Sequence, residues 1–225
     1  MNDRFYRLCR GIVRLRYSGY KLTENTEAKQ PVVYLCRHRN AIGPLVSLAY
    51  IPSMPRPWML SVFCDKESCK KQLTEFTCPV SWGFNAFWSK QFPKIVAPMF
   101  ISLVNKVRTI PVYRGSPKIR QTFVQTIKAL EEGDNVIIYP DVDYKEEDGS
   151  IGELYEGFLM LEQLWQRKHD DHIRFVPVNI STEHKTIVMG DVISFSGDVP
   201  FAEEKKLIAE QMQKTMEAMA EEYGL

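Results

Sequence analysis

The feature that most constrains this chain is a series of short apolar runs alternating with stretches of helical periodicity. Val32-Val33-Tyr34-Leu35-Cys36, Trp58 to Phe63, Arg108 to Arg114, Asn135 to Tyr139, Ile173 to Asn179 and Thr186 to Met189 read as strands. Helical patterns fall between them at Leu45 to Tyr50, Ile95 to Val104, the stretch opened by Pro117, and Leu154 to Lys168, with a further helix at the C-terminus. Such alternation predicts an α/β fold, with a mostly parallel central sheet covered by helices on both sides. The 225 residues, 44% hydrophobic and 25% charged, suffice for one substantial core. The expected organisation is an N-terminal amphipathic helix and linker over residues 1–30, then one α/β domain over 31–225.

A formal net charge of +1 gives no general reason to expect a nucleic-acid partner. The five cysteines form no regular framework, and the spacing of Cys64, Cys69 and Cys78 does not match the CxxC pairs of zinc sites. Reduced, partly buried thiols in a cytoplasmic protein are expected, with no metal. The N-terminus has arginines but no apolar core of a secretory signal. No uninterrupted apolar run approaches the roughly 20 residues of a membrane-spanning helix.

From Arg4 to Arg16, the residues Phe5, Leu8, Cys9, Ile12, Val13 and Leu15 recur at helical spacing among five arginines. Such a helix either lies on an anionic membrane, arginines on the phosphates, or packs on the domain with a solvated basic face. Trp82, Phe84, Phe87 and Trp88 cluster around Gly83; they belong either to the core or to a substrate-facing or interfacial surface. Ser116 and Pro117 suit a helix cap and first turn, Ile119, Phe123, Ile127 and Leu130 give that helix one apolar face, and Gly133 ends it. In the last helix Ile208, Met212, Met216, Met219 and Tyr223 form an apolar stripe opposite a charged face.

The chemistry is expected where the first apolar run ends. Arg37-His38-Arg39-Asn40-Ala41-Ile42-Gly43-Pro44 places a histidine at the C-terminal edge of a buried strand and at the mouth of a helix. Open α/β sheets hold their sites at such edges. Arg114 ends another strand, beside Gly115-Ser116-Pro117, where a guanidinium and free helix-end amides suit a phosphate. No G-x-S-x-G elbow supplies an activated serine, which argues against a hydrolase.

Four blocks in order resemble the glycerolipid acyltransferase superfamily, the PlsC-like or lysophosphatidic acid acyltransferases. The first is the family's His-x4-Asp-Pro, here His38-Arg39-Asn40-Ala41-Ile42-Gly43-Pro44. The second is Thr109-Ile110-Pro111-Val112-Tyr113-Arg114, a strand ending in arginine. The third is the family's Phe-Pro-Glu-Gly-Thr, here Tyr139-Pro140-Asp141-Val142-Asp143, and the fourth is Phe175-Val176-Pro177-Val178. Gly152 to Phe158 resembles the family's turn into the next helix, so the likeness runs from about Pro31 to Ile193.

The resemblance implies an O-acyltransferase of phospholipid biosynthesis, with acyl-CoA or acyl-carrier protein as donor and a lysophospholipid or related glycerolipid as acceptor. It implies no bound cofactor, and a protein at the inner face of the membrane. His38 would be the general base and Asp141 a supporting carboxylate; Arg114, Arg39, Asn40, Gly115 and Asp143 would bind substrate. Two positions depart from the pattern. Gly43 stands where the family has the aspartate that orients the histidine, and Val142 where it has glycine. Another carboxylate (Asp141, Asp143 or Asp65) orients the ring, or Asn40 or a backbone carbonyl holds it, or the site binds lipid or an acyl carrier without turnover.

Overall fold

In the computed structural model the strands are β1 (Lys21–Thr23), β2 (Val33–Cys36), β3 (Arg56–Leu60), β4 (Ile110–Val112), β5 (Val136–Ile138), β6 (Phe175–Ser181) and β7 (Thr186–Met189). The α-helices are α1 (Asp3–Arg16), α2 (Ile42–Tyr50), α3 (Lys66–Gln72), α4 (Ala86–Lys106), α5 (Ile119–Glu131), α6 (Met160–Trp165) and α7 (Phe201–Glu222). The structure describes residues 3–23, 29–38, 42–81, 83–141 and 154–223. The chain divides into two compact units: Met1–Tyr6 with Arg56–Thr122, and Arg7–Pro55 with Phe123–Leu225.

In the larger unit the strand order is β1-β7-β6-β2-β5, and among the described strands only the β6–β7 pair is antiparallel. Every residue of β2, β5 and β6 is buried, as strands covered on both faces require. Asn135 fixes the start of β5: its buried side chain accepts the Val32 N–H at 2.8 Å just before β2 begins. The register that follows pairs Val33 with Val136, Tyr34 with Ile137 and Leu35 with Ile138. Helix α7 buries Ile208, Met212, Met216 and Met219 of its expected stripe, while Tyr223 is the half-buried cap at its end, and buried Asn179 of β6 donates to the Met216 carbonyl at 3.4 Å.

Helix α1 differs from its expected stripe. Cys9 and Val13 are partly covered, while Leu8, Ile12 and Leu15 are exposed. What holds the helix is arginine: Arg10 donates to the carbonyls of Ala49 and Ile51, both at 2.8 Å, and Arg14 to Ala49 at 2.9 Å. These are carbonyls at the C-terminus of α2, where a helix has unsatisfied acceptors and a negative dipole end. Arg7, Arg10, Gly11 and Arg14 line a shallow groove of about 380 Å³ with Pro52 and Met54.

In the smaller unit β3 and β4 pair in parallel, Trp58 opposite Ile110. The Cys64 to Ser89 stretch becomes α3, a π-helical segment Leu73–Ser81 and the start of α4, around buried Cys69, Leu73, Cys78 and Ala97. Helix α4 extends well beyond the expected Ile95 to Val104, and Asn85 caps it by accepting the Trp88 N–H. Phe84 packs edge-on against Phe92, but Phe87 and Trp88 face solvent. Helix α5 starts two residues after Pro117: Ser116 accepts the Lys118 N–H in a turn first, and Gly133 ends the helix at φ +79°. The expected helix from Leu154 to Lys168 is shorter, a 3-10 turn Glu156–Leu159 followed by α6. No described helix is long and apolar enough to cross a membrane.

Candidate functional site

Strands β2 and β5 run parallel, so both chains leave the sheet at the same edge. Their register offset is constant, and carried two residues past Cys36 it sets His38 opposite Asp141. The side chain meets it there: Asp141 Oδ2 accepts the His38 backbone N–H at 2.7 Å. Burial pushes the Asp141 carboxyl above its ordinary value, while the backbone N–H groups of His38 and Asp141 and the charges of His38 and Arg37 pull it down. The His38 charge is thus one of the influences that favour the ionised form of Asp141, though burial outweighs them.

Tyr139 supplies the wall of this corner. Its ring meets the His38 ring edge to face, centroids 5.6 Å apart at 77°. Its hydroxyl lies 2.9 Å from Ser47 Oγ on α2. Since the Ser47 hydroxyl donates to the Gly43 carbonyl at 2.8 Å, the Tyr139 hydroxyl is the donor in that pair. Tyr139 is thereby pinned to α2, and the imidazole rests against a fixed ring. Sequence reasoning placed Tyr139 in the third block without giving it work, and passed over Ser47. The signal was present: Ser47 follows Gly43 by one helical turn, on the same face of α2.

Gly43 is buried, and a Cβ built on it would overlap the carbonyl oxygen of His38 and crowd that of Arg37. The first turn of α2 packs directly on the backbone that presents the histidine. A side chain at this position, carboxylate included, has no room unless α2 moves.

The remaining candidates divide. Asp65 caps α3, accepting the Ser68 N–H at 2.9 Å, and this bonding lowers its carboxyl below the ordinary value. That capping contact accounts by itself for a carboxylate at this position. Arg114 and Gly115 lie exposed in the turn after β4, Gly115 at φ +69°. Arg39, Asn40 and Asp143 lie outside the described residues. Arg37, next to the histidine, is buried. Cys36 is buried beneath the site, and burial together with Asp141 drives its thiol far above the ordinary value, so it offers no nucleophile. Among the described residues no group of three or more His, Cys, Asp and Glu side chains is placed to hold a metal.

No family model matches the sequence, and neither does any curated protein. Among solved structures the chain is similar to the crystal structure of the 1-acyl-sn-glycerophosphate (LPA) acyltransferase, PlsC, from Thermotoga maritima. The two share 12% identity at a TM-score of 0.55, over 97% of this chain and 83% of that one. At this identity the likeness concerns fold, and the chain has a PlsC-like α/β fold, as the four blocks lead one to expect.

Proposed function

We propose that this chain is an O-acyltransferase, moving a fatty acyl group from acyl-CoA or acyl-carrier protein to the hydroxyl of a lysophospholipid or related glycerolipid. The observation that carries the reading is the register-set meeting of His38 and Asp141 at the C-terminal edge of two parallel strands. His38 takes the proton of the acceptor hydroxyl as its oxygen attacks the thioester carbonyl. The tetrahedral intermediate collapses, the carbon–sulfur bond breaks, and the proton passes to the departing thiolate. Asp141 stabilises the imidazolium formed on the way, standing in for the carboxylate that Gly43 cannot supply. Arg114 and Gly115 take the acceptor's phosphate, a role that rests on the second sequence block. Its test is separate: Arg114→Ala raises KM for lysophosphatidate with little change for an acceptor lacking phosphate.

The close packing at Gly43 favours one competing reading, a protein that binds lipid or an acyl carrier without turnover. Purified protein given radiolabelled acyl-CoA, or acyl-carrier protein, and a panel of lysophospholipids separates the two. Product formation that depends on His38 supports the enzyme; saturable lysophospholipid binding with no product from any donor supports the binding protein.

A further inference from the structure

Helix α4 carries two apolar faces. Ser89, Pro93, Ala97 and Val104 are buried on one, against the core of the smaller unit. At 100° per residue, Phe87, Trp88, Ile95 and Met99 project from the opposite side. All four are open to solvent, with relative exposures of 63%, 55%, 69% and 68%. One apolar face suffices to fold a helix onto a domain, so folding does not account for the second. Phe76 and Val80 of the adjoining π-helical segment are also exposed.

Charge identifies what the second face meets. Residues 56–122 hold eleven Lys and Arg against three Asp and Glu, while the rest of the chain holds eighteen against twenty-five. No acidic residue occurs between Glu75 and Glu131. On α4 itself Lys90 and Lys94 are exposed along one border of the stripe. A near-neutral chain has thus concentrated positive charge in the stretch that carries this second face. Tryptophan and phenylalanine beside lysine, on a helix without a single acidic residue, match the boundary between anionic headgroups and acyl chains. A protein partner or a second copy would need neither the exclusion of acid over so long a stretch nor the flanking lysines.

We infer that the outer face of α4 (Phe87, Trp88, Ile95 and Met99, bordered by Lys90 and Lys94) is a docking surface for an anionic membrane. This deepens the acyltransferase reading, on which it rests for its purpose, by naming the surface that meets the lipid; binding itself is measured without turnover.

The test is co-sedimentation of the full chain with phosphatidylcholine vesicles, with and without phosphatidylglycerol, at rising salt. The expected result is binding to phosphatidylglycerol vesicles that weakens with salt. Trp88→Ser/Ile95→Ser/Met99→Ser weakens it at least about tenfold, and Lys90→Glu/Lys94→Glu weakens it on anionic vesicles only. These positions are exposed, so an unchanged thermal midpoint shows that each variant is folded. Wild-type protein that ignores phosphatidylglycerol vesicles overturns the proposal. So does undiminished binding by the triple variant, or a wild-type dimer in solution that the triple variant abolishes. Acyl transfer to a water-soluble short-chain lysophospholipid is assayed in parallel without vesicles; its absence alongside intact vesicle binding counts against the enzyme and leaves the docking surface standing.

Discussion

The carboxylate of Asp141 accepts the backbone N–H of His38 at 2.7 Å, across a register fixed by two parallel strands. A buried carboxyl in this position is raised above its ordinary value, chiefly by burial. The folded chain therefore holds that proton more tightly than the unfolded chain does. The resulting contribution to stability is fully present below the ordinary aspartate range and is lost as pH rises through the raised value. Asp141→Asn keeps an acceptor for the N–H and removes the charge. It is expected to flatten this part of the stability–pH curve, measured by denaturant unfolding across acidic pH, while lowering acyl transfer by up to about 10⁴-fold. A variant with full activity would separate Asp141 from the chemistry.

Gly43 allows α2 to sit on the His38 carbonyl. Gly43→Ala is expected to destabilise the chain by about 1–3 kcal/mol through overpacking. Gly43→Asp, which restores the family's first block on paper, should destabilise further and lower any activity rather than raise it. Urea midpoints and initial rates for both variants check this together.

The Tyr139 hydroxyl, bonded to Ser47, fixes the ring that abuts His38. Tyr139→Phe removes one hydrogen bond and should cost about 0.5–1.5 kcal/mol, with activity largely kept. Tyr139→Leu also removes the edge-to-face contact. It should cut the chemical rate more than it raises KM, a split that single-turnover kinetics resolves.

Arg10 donates to the carbonyls of Ala49 and Ile51 beyond the reach of α2's own hydrogen bonds. Arg10→Lys keeps the charge but loses the planar fork that reaches both carbonyls. It should lower the unfolding midpoint, and Arg10→Ala should lower it further. Equal stability of all three proteins by thermal unfolding would remove this anchor from the account.

The strands and the mostly parallel sheet were legible because continuous apolar runs such as Val33 to Cys36 and Val136 to Ile138 are too short for a helix and alternate with longer helical patterns. The helix limits were not. The prolines at 93 and 98 hid the length of α4, and the turn that Ser116 closes delayed α5. His38 and Asp141 could be proposed separately from their strand ends, but their meeting depends on register, which Asn135 sets through a long-range bond to Val32. The split of α1 into covered and exposed apolar residues was equally hidden, because the arginines that hold it bind backbone carbonyls, and those leave no mark in side-chain periodicity.

The central claim is that His38 is the base of an acyl transfer. The direct measurement is single-turnover transfer of a radiolabelled acyl group to lysophosphatidate by wild-type protein and His38→Ala, with folding of the variant verified by its unfolding curve. The account predicts product from the wild type and a loss of about 10²–10⁴-fold in the variant. Transfer at the wild-type rate by His38→Ala would contradict it.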